Sequence, residues 1–151
     1  MIPYTANQMF DLVANVATYP EFLPFCIKTC IHEESELHMV ADMYIGYKAF
    51  KGEVRSRIRK SRPHSLIIEQ THGSLKYLTS SWLFKPAVTI QKTRATLQPC
   101  TEIQFLIDFE PASWLVGKLI TPLMEGLGNT MMQAFIDRAT LIYGNAKDKT
   151  P

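Results

Sequence analysis

The chain reads as an α+β domain in which a curved antiparallel sheet wraps around a long C-terminal helix. Three observations predict it. Apolar residues recur at helical spacing near the two ends of the chain. Between them, from about residue 26 to residue 109, the apolar period is two, which is the period of strands. Turn residues cut that middle stretch into hairpin-sized pieces, so that successive strands run antiparallel.

Length and composition fit this expectation. The chain has 151 residues, 46% hydrophobic and 20% charged, with 16 Lys+Arg against 14 Asp+Glu and a net charge of +2. That suffices for one self-supporting core and excludes wholesale disorder. We expect a single domain over residues 1–144 and a polar tail over residues 145–151. No apolar run reaches the roughly 18 residues of a membrane-spanning helix. Met1-Ile2-Pro3-Tyr4-Thr5 lacks the basic start of a signal or transit peptide, so a cytoplasmic location is expected.

Taken in order, Thr5 is the N-cap of a short helix over residues 5–17, with Met9, Leu12, Val13 and Val16 on one face. Pro20 and Pro24 bracket an aromatic-rich corner with Tyr19, Phe22 and Phe25, and leave room for at most one helical turn between them. Leu37, Met39, Ala41, Met43 and Ile45 alternate with His38, Val40, Asp42 and Tyr44 on a strand that ends at Gly46. On the next strand the even positions Phe50 to Ile58 face one way and the odd positions Lys51 to Arg59 the other. Arg62-Pro63 closes it, Leu66-Ile67-Ile68 opens another, and Gly73-Ser74 turns into a strand from Leu75 to Phe84 that ends at Pro86. Ile103, Phe105, Ile107 and Phe109 mark the last strand. Residues 113–143 form a long helical segment capped by Ser113 and stopped by Gly144. Pro122, Gly126 and Gly128 predict a kink or break in its first half.

A helix laid across a curved sheet encloses whatever volume the side chains leave unfilled. The inward set is Phe50, Gly52, Val54, Ser56, Trp82, Phe84, Phe105, Ile107 and Phe109, facing Leu123, Met124, Leu127, Met131 and Phe135. Taken singly, each is an ordinary core residue. Together, the small Gly52 and Ser56 and the deformable Met124, Met131 and Met132 predict an apolar pocket. Its few polar contacts would come from Tyr44, Ser56, Ser80 or Trp82.

The opposite strand face is basic. Lys48, Lys51, Arg55, Arg57, Arg59, Lys60 and Arg62 fall within one short segment that has only Glu53 to offset them. Such a run suits a solvated face equally well as docking on a polyanion, either lipid headgroups or ribosomal RNA. Cys26, Cys30 and Cys100 lack metal-site or redox spacing. Cys26 and Cys30, four apart on a strand, would share a buried face. His32, His38, His64 and His72 form no ligand or nucleophile motif, and His38 with Asp42 is the one acid–base pairing that spacing allows. Neither catalysis nor a metal is expected.

Four blocks in order resemble the coenzyme Q-binding START-like family, whose bacterial members are labelled ribosome-association toxin RatA or polyketide cyclase/dehydrase-like. They are Tyr19-Pro20-Glu21-Phe22-Leu23-Pro24-Phe25-Cys26; Gly73 to Leu78 with Trp82-Leu83-Phe84-Lys85-Pro86; Ile103 to Glu110; and Met132 to Ala139 with Tyr143-Gly144. The chain departs from the family by starting almost inside its first segment, by a longer stretch from Ala87 to Pro99, and by Pro111 where an aromatic is usual. The resemblance implies a helix-grip (START-like, Bet v-like) fold that binds ubiquinone, an isoprenoid quinone, in support of respiration. It implies no catalytic residue and no cofactor beyond that bound ligand. The expected partners are the quinone and, transiently, an anionic inner-membrane surface. The alternative it carries is a ribosome-association inhibitor that binds a ribosomal subunit through the basic strand face.

Overall fold

In the computed structural model, which describes residues 1–91 and 96–144, six strands form one antiparallel sheet in sequence order. They are β1 (Cys26–Glu34), β2 (His38–Tyr47), β3 (Phe50–Ser61), β4 (Ser65–Gly73), β5 (Leu75–Gln91) and β6 (Thr96–Pro111). Every strand pairs with its sequence neighbour, as short turns require. Helix α1 (Ala6–Ala14) precedes the sheet, and α2 (Trp114–Met124) and α3 (Leu127–Tyr143) follow it and close the concave face. The expected fold class is the one observed.

Thr5 caps α1 through a reciprocal box with Gln8, and Met9, Phe10, Leu12 and Val13 are buried. A 3-10 helix over Val16–Glu21 contains Pro20 and begins earlier than the two prolines suggest. It delivers Tyr19 and Phe22 edge-on to Phe135 of α3, with ring centroids 5.3 and 5.1 Å away. The N-terminus is tied down as well. Ile2 bridges Thr101 of β6, the Tyr4 hydroxyl donates to the Gly144 carbonyl at 2.8 Å, and Tyr143 donates to the Gln8 carbonyl at 3.0 Å.

The expected break in the C-terminal helical segment is observed: the segment is two helices divided at Gly126, whose φ of 73° is left-handed, and Pro122 is accommodated inside α2. Three other local expectations are corrected. Strand β5 does not stop at Pro86 but pairs with β6 as far as Gln91. The register of β4 ends opposite Leu83, so beyond it β5 has a free edge, which tolerates a residue lacking an N–H. Residues 92–95 of the long Ala87–Pro99 stretch, and the tail 145–151, lie outside the described residues. Cys26 and Cys30 occupy opposite faces: a register shift between Cys26 and Lys28 inserts a residue and reverses the alternation. Cys26 is buried on the concave side, where burial pushes its thiol up to about 11, while Cys30 pairs with Asp42 on the convex side. Leu37 sits in the β1–β2 turn and is exposed.

Candidate functional site

Between the concave face and the two C-terminal helices lies an apolar cavity of about 100 Å³. Phe50 and Ser56 of β3, Trp82 of β5 and Ile107 of β6 line it from the sheet, and Leu123, Met124, Leu127 and Met131 line it from α2 and α3. These eight come from the expected inward set. Five others of that set do not reach it. Gly52 lies under the Phe50 ring, since a Cβ there would stand 2.6 Å from the ring carbon Cζ. The space expected above this glycine is therefore filled by its own neighbour. Val54 packs with Phe50, Leu75 and Ile120 in a second small core. Phe84, Phe105 and Phe135 surround Trp82, with centroids 6.3, 4.3 and 5.0 Å from it, and form the solid wall behind the cavity.

The lining also includes residues that sequence periodicity did not assign to it. Tyr19 and Phe25 come from the proline-rich corner, Met43 and Ile45 from β2, Ile68 from β4, Leu75 and Leu78 from β5, and Ile120 from α2. The alternation of β2 was legible, but its proximity to α3 depends on sheet curvature. Phe109, already assigned inward, completes the far end.

Two groups make the cavity polar at defined points. Ser56 and Ser80 are buried and line it, and their hydroxyls make no side-chain hydrogen bond among the described residues. They stand on β3 and β5, on either side of β4, with Ser56 opposite Gln70 and Ser80 opposite Ile68, so that two strand spacings and a two-residue offset set them about 12 Å apart. The Tyr19 hydroxyl is not available, because it donates to the Val13 carbonyl and burial raises its pKa. Tyr44, expected as a polar contact, lies on the convex face beneath the Lys28 ammonium and cannot serve the cavity. The wall is otherwise aliphatic, aromatic and thioether.

The convex face differs from its expected form. Asp42, an outward residue of β2, has a side chain only 3% exposed. Arg55 donates to it from Nε at 2.7 Å and from Nη2 at 3.0 Å, and His32 Nε2 lies 2.7 Å away. The Arg55 hydrogen bonds hold this carboxyl down at about 2, with His32 adding to the effect. The pairing that spacing allowed between His38 and Asp42 is thus replaced by one with His32. The reason is the register shift between Cys26 and Lys28, which turns the even positions of β1 onto the convex face and so sets His32 beside Asp42 across the strand pair.

The same pairing corrects the basic run. Arg59 is bonded to Glu69 (3.0 Å), Lys60 to Glu34 (3.5 Å) and Arg62 to Asp11 (2.8 Å), so carboxylates from β4, β1 and α1 neutralise residues that only Glu53 offsets within the segment. Lys60, at an even position of β3, is turned inward with its side chain 9% exposed. Lys48, Lys51 and Arg57 remain exposed and make no ion pair among the described residues.

A meander sheet that grips a C-terminal helix pair around an apolar cavity defines a helix-grip protein. The family model described as "Polyketide cyclase / dehydrase and lipid transport" matches residues 2–136, and the chain belongs to that family. Among curated relatives, the ribosome association toxin RatA of Pseudomonas aeruginosa is 31% identical over 144 residues, covering 95% of this chain and 94% of that one. The RatA of Vibrio cholerae is 28% identical with the same coverage. The mitochondrial coenzyme Q-binding protein COQ10 of Drosophila melanogaster is 23% identical over 138 residues, covering 90% of this chain and 54% of that one. Two solved structures share the fold. A Thermus thermophilus protein has a TM-score of 0.73 at 11% identity, covering 93% and 92% of the two chains. A START superfamily protein of Mycobacterium smegmatis has a TM-score of 0.72 at 12% identity, covering 93% of each.

Proposed function

We propose that this protein binds an isoprenoid quinone, ubiquinone, in the cavity between the sheet and the C-terminal helices. It would act as a binding and delivery protein at the inner-membrane surface in support of respiratory electron transport. The observation that carries the reading is an apolar cavity between sheet and helices with two seryl hydroxyls placed two strands apart. A flat ring with acceptor oxygens at opposite ends meets one donor on each side, and its tail needs no polar contact at all. A buried methylene contributes roughly 0.8 kcal/mol, so a few isoprenyl carbons outweigh the head group.

The cavity of about 100 Å³ is smaller than the roughly 300–1,000 Å³ typical of ligand pockets, so binding requires expansion. Met43, Met124 and Met131 in the wall can change rotamer at low cost. The left-handed Gly126 between α2 and α3, with nothing within 4 Å of its Cβ position, gives α2 freedom to swing. A wall of aliphatic, aromatic and thioether side chains, with two seryl hydroxyls and a Tyr19 hydroxyl already bonded to the Val13 carbonyl, supports binding over catalysis. Organic extraction of the purified protein followed by mass spectrometry is the test. Recovery of quinone, or saturable binding of a short-tail ubiquinone, is expected, and the absence of both refutes the reading.

A second reading is favoured by the relatives named ribosome association toxin at 28–31% identity over nearly the whole chain. In it the exposed Lys48, Lys51 and Arg57 contact ribosomal RNA phosphates. It predicts co-sedimentation with a ribosomal subunit that is lost on reversing Lys51 and Arg57. Unchanged ribosome profiles in that variant would exclude this surface.

A further inference from the structure

Helix α2 is apolar on both sides. Ile120, Leu123 and Met124 line the cavity, while Trp114, Leu115 and Leu119 on the outer side are 78%, 60% and 39% exposed. A surface helix of a water-soluble domain ordinarily turns charged groups outward. Here Lys118 is the single charged residue between Trp114 and Met124, and its ammonium lies 5.1 Å over the Trp114 ring. Positions 114, 115, 118 and 119 share one arc of the helix, so the two leucines, the indole and the ammonium form a continuous patch.

Further cations stand at the same end of the molecule. Phe50, at the start of β3, packs with Ile120 of α2, and it is flanked in sequence by the exposed Lys48 and Lys51. The nearby Lys76 is paired with Glu110 at 3.5 Å, and Glu125 lies at the opposite end of α2 from Trp114.

We propose that α2 is the element that docks this protein on an anionic lipid bilayer. Trp114, Leu115 and Leu119 enter the boundary between headgroups and acyl chains, and Lys118, Lys48 and Lys51 face lipid phosphates. Indole rings favour that boundary, and leucines beside a lysine are the composition of an interfacial helix. A second copy of the chain is a poor occupant. A two-fold pairing of α2 with itself would bring the lysines of both copies together without a carboxylate on the helix to match them. Docking places the outer face of the cavity wall in lipid. An outward swing of α2 at Gly126 then joins the cavity to the acyl layer without passing the ligand through water, a route that rests on the proposed quinone reading.

The test is flotation of the full chain with vesicles of phosphatidylcholine alone and of phosphatidylcholine with phosphatidylglycerol. It is run for the parent, for Leu115→Glu/Leu119→Glu, and for Arg57→Glu on the convex face. The substituted leucines are exposed, so the fold is expected to survive, and circular dichroism checks it. The parent should bind the phosphatidylglycerol vesicles, the double variant on the order of 100-fold more weakly, and Arg57→Glu as the parent does. Brominated acyl chains should quench Trp114 emission but not that of the buried Trp82, which the Trp114→Phe variant separates. Parent-like flotation of the double variant, loss of flotation in Arg57→Glu, or an unquenched Trp114 would each overturn the proposal. So would a dimer that the double variant dissociates while vesicles bind neither protein. Retention of short-tail ubiquinone by a double variant that no longer floats supports both readings. A parent that floats but binds no quinone supports docking and refutes only the ligand.

Discussion

Replacing Ser56 and Ser80 together by valine tests the cavity in a way that separates affinity from stability. Both hydroxyls line the cavity and bond to no other described residue, so the unliganded protein loses little when they are removed. Filling the whole space of about 100 Å³ at about 24 cal/mol per Å³ would add about 2.4 kcal/mol. Two extra methyl groups fill part of it, and the expected gain is about 1 kcal/mol, or some 2–4 °C in melting temperature for a chain of this size. The ligand, in contrast, loses two hydrogen bonds of about 1 kcal/mol each, which weakens binding by roughly 30-fold. Short-tail ubiquinone is titrated against Trp82 emission in a Trp114→Phe background, and thermal melts are recorded on the same proteins. Opposite signs of the two effects are the signature. An unchanged Kd would show that the ring does not lie between the serines, and a lowered melting temperature would show that their hydroxyls hold the apo structure together.

Three further outcomes follow from the geometry. Phe135→Ala removes a fully buried ring in contact with Tyr19, Phe22 and Trp82, and should cost about 3–5 kcal/mol in urea denaturation. Asp42, held at about 2 against an ordinary 3.8, adds stability that is full above about pH 4 and is lost as pH falls through 2. Its partners Arg55 and His32 are half-exposed, so the contribution is about 1–2 kcal/mol, and Asp42→Asn should flatten the acid limb of the stability curve. Gly73→Ala sets a Cβ 2.4 Å from the Glu53 carbonyl oxygen at a φ of 154°. It should destabilise the β4–β5 turn by at least about 2 kcal/mol, which differential scanning calorimetry would register.

The legible and illegible parts of this molecule divide along physical lines. Period-two runs such as Phe50 to Ile58 and Ile103 to Phe109 marked strands because alternation is a local consequence of the pleat. The α1 cap at Thr5 and the interruption of the terminal helix were legible for the same reason, since caps and glycine breaks act within a turn. Face assignment failed where a register shift intervened. Nothing in Cys26-Ile27-Lys28-Thr29-Cys30 signals that β1 pairs out of step, yet that single step puts Cys30 on the convex side and His32 against Asp42. The extension of β5 past Pro86 was hidden as well, because a proline ends a strand only when both edges are paired.

By itself, the sequence determined the fold class, the order of elements, the inward stripe and the clustering of basic residues between Lys48 and Arg62. All of these arise from neighbours within a few positions along the chain. Only the tertiary structure decided which inward residues line a cavity and which form its backing wall, because void volume depends on how side chains from five strands and two helices interlock. It alone showed Gly52 filled by Phe50, and Arg59, Lys60 and Arg62 neutralised by acids distant in sequence. It also left the apolar outer face of α2 uncovered, since hydrophobic periodicity tells that a helix is apolar but not which of its sides the rest of the chain will reach.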